Sequence, residues 1–423
     1  MMLLAMAEGN AEVVPQILIG LAVILIAAKL GGEIFERFGQ PPVLGELVIG
    51  IVFGNLHLAG LQTFDFLRHE ATFVILAEIG VVLLLFEVGL ESSVSEMMGV
   101  GLPSLVVAVV GVVVPSLLGF GVSTFFYPAE SFYSRLFVGT ILCATSVGIT
   151  ARVLKDLGGL QRRESRIILG AAVIDDVLGL VVLATVAGMI AAATSGTSMT
   201  IGMILAIIGK AVLFLGAAVL LGGWISPRIF ALATRLRSKG VLLTTSLAFC
   251  FVLSYLAQKV GLAPIVGAFT AGLILEKVHY RDLAGREELD LHHVLQPIIA
   301  LLVPVFFVLM GLRVDLRVFA NLPMLGFAAV LSAVAILGKQ ACSLVIWEKG
   351  LDRWLVGFGM IPRGEVGLIF AGIGATLILE GRPVVSPEIF SAAVIMVIAT
   401  TLITPPLLNW RMASGRGKSA SQG

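Results

Sequence analysis

Apolar runs of about 20 residues, separated by short polar segments, succeed one another along nearly the whole chain. A run of that length crosses about 30 Å of hydrocarbon as a helix. The pattern predicts thirteen spans, at 13–36, 41–59, 69–90, 98–126, 133–156, 165–192, 199–226, 241–260, 263–278, 293–313, 322–347, 354–380 and 387–410. Lipid offers no partner to a backbone amide or carbonyl, so the spans are expected to be helical and the fold all-α.

Composition agrees, with 58% hydrophobic and 13% charged residues among 423. This is the profile of a polytopic membrane protein, with no stretch left over for a soluble domain. The opening "MMLLAMAEGN" has too short an apolar run, and no basic residue ahead of it, to read as a cleaved signal peptide. Cys143, Cys250 and Cys342 fall in apolar stretches without metal-ligand spacing and read as packing residues.

The net charge of +1 says little about partners, whereas the placement of charge says more. With the N-terminus outside, nineteen basic residues fall on inside segments: Lys29, Arg37, Arg152, Lys155, Arg162, Arg163, Arg166, Arg228, Arg235, Arg237, Lys239, Lys277, Arg281, Arg286, Lys349, Arg353, Arg411, Arg416 and Lys418. Only six, Arg68, Arg135, Lys259, Arg313, Arg317 and Arg382, fall outside. Lys and Arg resist translocation, so the expected orientation is N-terminus out and C-terminus in.

The ionisable residues that stand out at depth in predicted spans are Glu46, Glu78, Glu87, Asp175, Asp176, Lys210, Lys339, Arg363 and Glu365. A charge at the bilayer centre costs about 2.5–3.5 kcal/mol on insertion scales, so each needs a partner or a water-filled cavity. Lys210 has the weakest claim to function, because a long stem can carry its ammonium to the interface. Glu46, Glu78, Glu87 and Glu91 read as residues that shape a funnel or the dimer face, or that simply sit near span ends. His279, His292 and His293, in or beside the inside loop after the ninth span, read as solvated loop residues in which pH sensing is chemically feasible.

Asp175 and Asp176, in "AAVIDDVLGL", are the strongest local signal, near the middle of their span. Neighbours on a helix point about 100° apart, so the two carboxylates cannot share one proton face to face. An intramembrane aspartic protease is therefore disfavoured. The geometry suits one carboxylate in a cavity and the other turned toward a cation on a neighbouring helix, for which Lys339 in "AILGKQACS" is the natural candidate. The pair could serve assembly alone, but two acids beside one lysine leave an acid uncompensated, which suits a mobile cation or proton.

The fifth span contains "CATSVGITAR" and the twelfth "GMIPRGEVGLIF", both mixing helix-weakening residues with polar groups at depth. Thr145 and Ser146 offer oxygens to a cation at the first break, and Pro362 and Gly364 flank Arg363 and Glu365 at the second. Spans seven apart run in opposite directions, which yields six spans, a connector and six more. Interrupted helices in corresponding places of inverted halves point to a secondary transporter with a midplane site.

The ordered stretches "PPVLGELVIGIVFG", "EIGVVLLLFEVGLE", "ATSVGITARVL", "AAVIDDVLGL", "PVFFVLMGLRVDL" and "GMIPRGEVGLI" resemble the monovalent cation:proton antiporter-2 family, most of all its bacterial NapA-type Na+/H+ antiporters. The resemblance spans about residues 15–410 and implies an inverted-repeat fold in which two discontinuous helices cross. It implies a dimerisation domain at 1–95 and 240–318, a moving core at 96–193 and 319–412, a connector at 194–239 and a short cytoplasmic tail at 413–423. It further implies a homodimer in the bacterial inner membrane. Asp176 would be the principal Na+ and H+ ligand, Asp175 the partner of Lys339, and Arg363 and Glu365 supports of the second break.

Na+ or Li+ is the expected cargo, exchanged for H+, with an electrogenic cycle if a second group of the cluster also exchanges a proton. No cofactor, nucleic-acid partner or enzymatic reaction is expected. The alternative is a K+/H+ antiporter of the potassium-efflux branch. Against it, that branch often carries a glutamine before a single aspartate and a nucleotide-binding domain after the last span, whereas the tail after Trp410 is expected to be too short to fold. A cation channel would not need the inverted broken helices, and an organic-anion symporter is disfavoured because adjacent aspartates would repel its anionic substrate.

Overall fold

The computed structural model describes residues 2–61, 66–91, 101–159, 161–195, 201–236, 238, 240–275, 291–317, 321–348 and 350–420. Arg237, Lys239, Lys277, His279, Arg281, Arg286 and Lys349 lie outside the described residues, as do the side chains of Arg68, Arg152, Lys155, Arg416 and Lys418.

In chain order the helices are α1 (Met2–Arg37), α2 (Pro42–Asn55), α3 (Phe66–His69), α4 (Ala71–Glu91), α5 (Gly101–Phe126), α6 (Phe132–Cys143), α7 (Val147–Asp156) and α8 (Arg163–Thr194). There follow α9 (Ile201–Ala233), α10 (Val241–Val260), α11 (Pro264–Ile274), α12 (Leu291–Leu312), α13 (Leu322–Leu344), α14 (Arg353–Gly359), α15 (Glu365–Thr376) and α16 (Pro387–Ala420). Among the described residues nine helices are long and apolar enough to cross a membrane, and four more apolar helices, α2 with its following turn, α6, α11 and α15, are shorter.

The count of full-length spans is thus smaller than the apolar pattern suggests, for local reasons. The second predicted span is α-helical only to Asn55 and finishes in a 3-10 turn (Leu56–Ala59) that ends on Gly60 with φ 80°. The fifth and twelfth are each split into two half-helices. The twelfth also ends at Thr376 rather than 380, because the chain turns into a hairpin, β1 (Ile378–Leu379) against β2 (Arg382–Pro383). Glu380 and Gly381 form its turn with φ 51° and 77°, the two positive values a type I′ turn requires. A hydroxyl–carbonyl bond from Ser134 to Val384 (2.6 Å) fixes the hairpin over the end of α6.

The inverted repeat is plain in the order: the broken pair α6/α7 lies between α5 and α8, and the broken pair α14/α15 between α13 and α16. Packing divides the helices into two groups. In one, α2 packs on α1 and α12, and α11 packs on α4 and α10. In the other, α5 packs on α6, α8 and α13, while α16 packs on α13, α14 and α15. Helix α9 touches both, meeting α8 on one side and α10 and α11 on the other, and it exposes Leu205, Leu213, Leu220 and Trp224.

The first group is held by backbone-close crossings at glycine, the usual way membrane helices gain contact where lipid competes with every apolar surface. Gly50 meets Gly311, and Gly89 meets Gly272; a Cβ on Gly272 would lie 2.2 Å from the Phe86 carbonyl oxygen. Gly272→Val is therefore expected to force α4 and α11 apart at a cost of about 1–3 kcal/mol. Gly216→Val on α9, where a Cβ meets nothing within 4 Å, is expected to be neutral. Thermal unfolding in detergent should show a lowered midpoint for the first variant alone.

Candidate functional site

The site is built where the two broken helices meet. Helix α6 stops after Cys143 because Ala144 turns to an extended conformation (φ −61°, ψ 139°), and α7 restarts at Val147. Helix α14 stops at Gly359, and α15 restarts at Glu365, after Pro362 and Gly364. The breaks bind each other directly: the Ser146 amide donates to the Pro362 carbonyl at 2.9 Å, and the Thr150 hydroxyl donates to the Gly359 carbonyl at 2.7 Å. Gly364 is required by space, since a Cβ there would lie 2.5 Å from the Ser146 hydroxyl oxygen.

A broken helix leaves carbonyls at its C-terminal end without partners and with a partial negative charge. The last carbonyls of α6 are met by two buried cations. The Lys339 ammonium donates to Cys143 O at 3.0 Å, and the Arg363 guanidinium donates through Nη1 to Ala144 O at 2.7 Å. Arg363 is further held by its backbone, whose amide donates to Thr400 Oγ1 and whose carbonyl accepts from Thr401 Oγ1 at 2.6 Å. Its Nε and Nη2 have no hydrogen-bond partner.

Helix α8 brings the aspartates to this point. Asp175 is fully buried, and its Oδ1 accepts from Lys339 at 3.0 Å, an ion pair with both side chains inaccessible to solvent. Its Oδ2 is buried and has no hydrogen-bond partner among the described residues. Gly111 on α5 leaves the room for this pair, because a Cβ there would stand 3.1 Å from Lys339 Nζ. Asp176 is 8% exposed, and among the described residues no hydrogen bond reaches it. It lies within electrostatic range of Asp175, Glu365, Lys339 and Glu91.

The two remaining oxygen ligands expected from the sequence differ in availability. The Ser146 hydroxyl donates to the Glu365 carboxylate, at 3.0 and 3.3 Å to its two oxygens, so it ties the first break to the second. The Thr145 hydroxyl is buried and, among the described residues, has no hydrogen-bond partner, which leaves its oxygen available. Among the other ionisable span residues, Lys210 is exposed on α9, Glu78 is exposed, and Glu46 is half-buried. None of the three joins this cluster. Sequence reasoning did not single out Thr400 and Thr401, which clamp Arg363. The only trace of them is the "ATTLITPP" polar step within an apolar run.

Removing one member of a fully buried ion pair leaves an uncompensated charge and costs about 3–5 kcal/mol, whereas removing both members costs far less. Lys339→Met is expected to destabilise the protein strongly, and the double variant Lys339→Met with Asp175→Leu is expected to recover most of the loss. Unfolding midpoints of the wild type, both single variants and the double variant, measured in one detergent, check this.

Comparison with known proteins agrees with the arrangement. The family described as "Sodium/hydrogen exchanger, transmembrane" matches residues 21–410. The high-affinity Na+/H+ antiporter NhaS3 of Synechocystis sp. is 39% identical, over 96% of this chain and 93% of its own length. The Na+/H+-K+ antiporter GerN of Bacillus cereus is 35% identical, over 92% of this chain and 95% of its own. In fold, the chain is similar to the sodium proton antiporter MjNhaP1 of Methanocaldococcus jannaschii, with a TM-score of 0.67 at 17% identity, covering 97% of this chain and 98% of that one. With inverted halves, crossed breaks and a family match across nearly its full length, the chain belongs to the sodium/hydrogen exchanger family.

Proposed function

We propose that the chain exchanges Na+, with Li+ as a surrogate, for H+ across the membrane by alternating access, with Asp176 as the shared cation and proton ligand. The observation that carries this reading is an asymmetry between neighbours: Asp175 has a buried lysine for a partner, and Asp176 beside it has none among the described residues. A carboxylate at depth without a fixed partner is completed by something mobile. Thr145, with a free buried hydroxyl, is the second ligand, while Ser146 serves the joint between the breaks. The similarity to NhaS3, a Na+/H+ antiporter, and to GerN, a Na+/H+-K+ antiporter, supports Na+ and H+ as cargo.

Ion competition gives the coupling. Ionised Asp176 binds Na+ on one side, and a proton displaces it on the other. Either occupant cancels the charge that would make passage of the empty site costly, so exchange is favoured over leak. The two packing groups suit this cycle: α5 to α8 with α13 to α16 carry the site, and α1 to α4 with α10 to α12 act as the scaffold and the homodimer contact. If Lys339 also exchanges a proton with its partner Asp175 during the cycle, transport is electrogenic. The distribution of Lys and Arg supports an inner-membrane protein with its N-terminus outside and its C-terminus in the cytoplasm.

The test uses proteoliposomes with an imposed pH gradient and an internal pH dye, to which Na+, Li+ and K+ are added in turn. The wild type is expected to respond to Na+ and Li+, and Asp176→Asn to neither, while remaining folded. Full exchange by Asp176→Asn would sink the assignment. A response to K+ alone would favour the K+/H+ alternative, which draws its support from the GerN name.

A further inference from the structure

Away from the aspartates, four polar side chains converge where α4 ends and α12 begins. Glu87 and Glu91 lie one turn apart on α4, and His292 and Gln296 lie one turn apart on α12, so each pair shares a helix face. The ligand atoms of Glu87, Glu91 and His292 all lie within 4.8 Å of one another. Gln296 donates its side-chain amide to Glu87 Oε1 at 2.7 Å. Glu87 and His292 are half-buried and Glu91 is exposed, so the cluster opens on one side.

Two carboxylates and one imidazole are a donor set for a borderline divalent cation such as Zn2+ or Co2+; alkali ions and Mg2+ prefer oxygen alone. Three protein ligands with an open side leave a coordination position for water, the pattern of sites that are not purely structural. Tetrahedral bonds of about 2.1 Å place ligand atoms about 3.4 Å apart, so closure from the present spacing takes about 1 Å of movement by side chains with room to move. Gln296 stands where an outer partner orients a ligating carboxylate.

We propose that Glu87, Glu91 and His292 form a binding site for a divalent transition-metal cation of the Zn2+ class. The site draws its ligands from α4 and α12, and it is separate from the Na+ and H+ ligands of the core. A cation held there would stand beside Glu91, whose charge reaches both Asp176 and Glu365.

Co2+ titration of the purified full-length chain in detergent tests this without any transport assay, so it remains readable even if the antiport reading fails. The wild type is expected to take up one Co2+ per chain with visible ligand-field absorption, and Zn2+ should displace it. His292→Ala and Glu91→Gln should each weaken binding at least about tenfold, and Gln296→Leu by about 10–100-fold as the loss of an orienting partner. His293→Ala, altering the exposed neighbour, should bind as the wild type does. The proposal is overturned if the wild type takes up no Co2+, or if His292→Ala and Glu91→Gln bind it undiminished. Equal loss in His293→Ala and His292→Ala would overturn it too. Should either single variant fail to fold, the other carries the comparison.

Discussion

Hydrocarbon does not tolerate an unpaired charge, and the architecture follows from how five ionisable side chains meet that constraint in one place. Asp175, Asp176 and Glu365 stand against Lys339 and Arg363. With all five charged, three acids face two bases, and the missing positive charge has to come from outside the protein. The Lys339–Asp175 ion pair fixes which of the two aspartates is satisfied by the protein and which, among the described residues, is not. Desolvation makes such a pair a poor source of stability, so its presence is better understood as specifying charge at depth.

The broken helices are the means by which the backbone joins that balance. Each break exposes carbonyls that an intact helix would have used, and two of them, Cys143 O and Ala144 O, receive the ammonium and the guanidinium. Lys339 and Arg363 thus have backbone partners that do not depend on a carboxylate. The breaks also bind each other through Ser146, Pro362, Thr150 and Gly359, which joins the two halves at the site. Packing is concentrated within two groups of helices, with α9 touching both and glycine crossings holding the first group.

Much of this was legible in the sequence because membranes make the rules stringent. Adjacent aspartates and a lysine in apolar runs stand out, and proline and glycine beside charges mark a break. What escaped is what the backbone does. No residue type announces that Cys143 O and Ala144 O will be acceptors, and Thr400 and Thr401 read as ordinary helix residues until Arg363 is found beside them. Hydropathy also runs through breaks and turns. It therefore extends the twelfth span into the hairpin at Glu380 and carries the second beyond the end of α2 through its 3-10 turn. Ser146 was identified as polar at depth, but its engagement with Glu365 rather than an open position depends on the crossing, which sequence order alone does not locate.

The central claim is that one carboxylate serves both cations in turn, and equilibrium binding tests it most directly. Radioactive Na+ binding to the detergent-purified protein, measured across a series of pH values, is predicted to show one site per chain whose apparent Kd rises about tenfold per pH unit on the acid side, with the number of sites unchanged. An apparent Kd that stays constant across that range would mean that Na+ and H+ do not compete for one group, and would contradict the account.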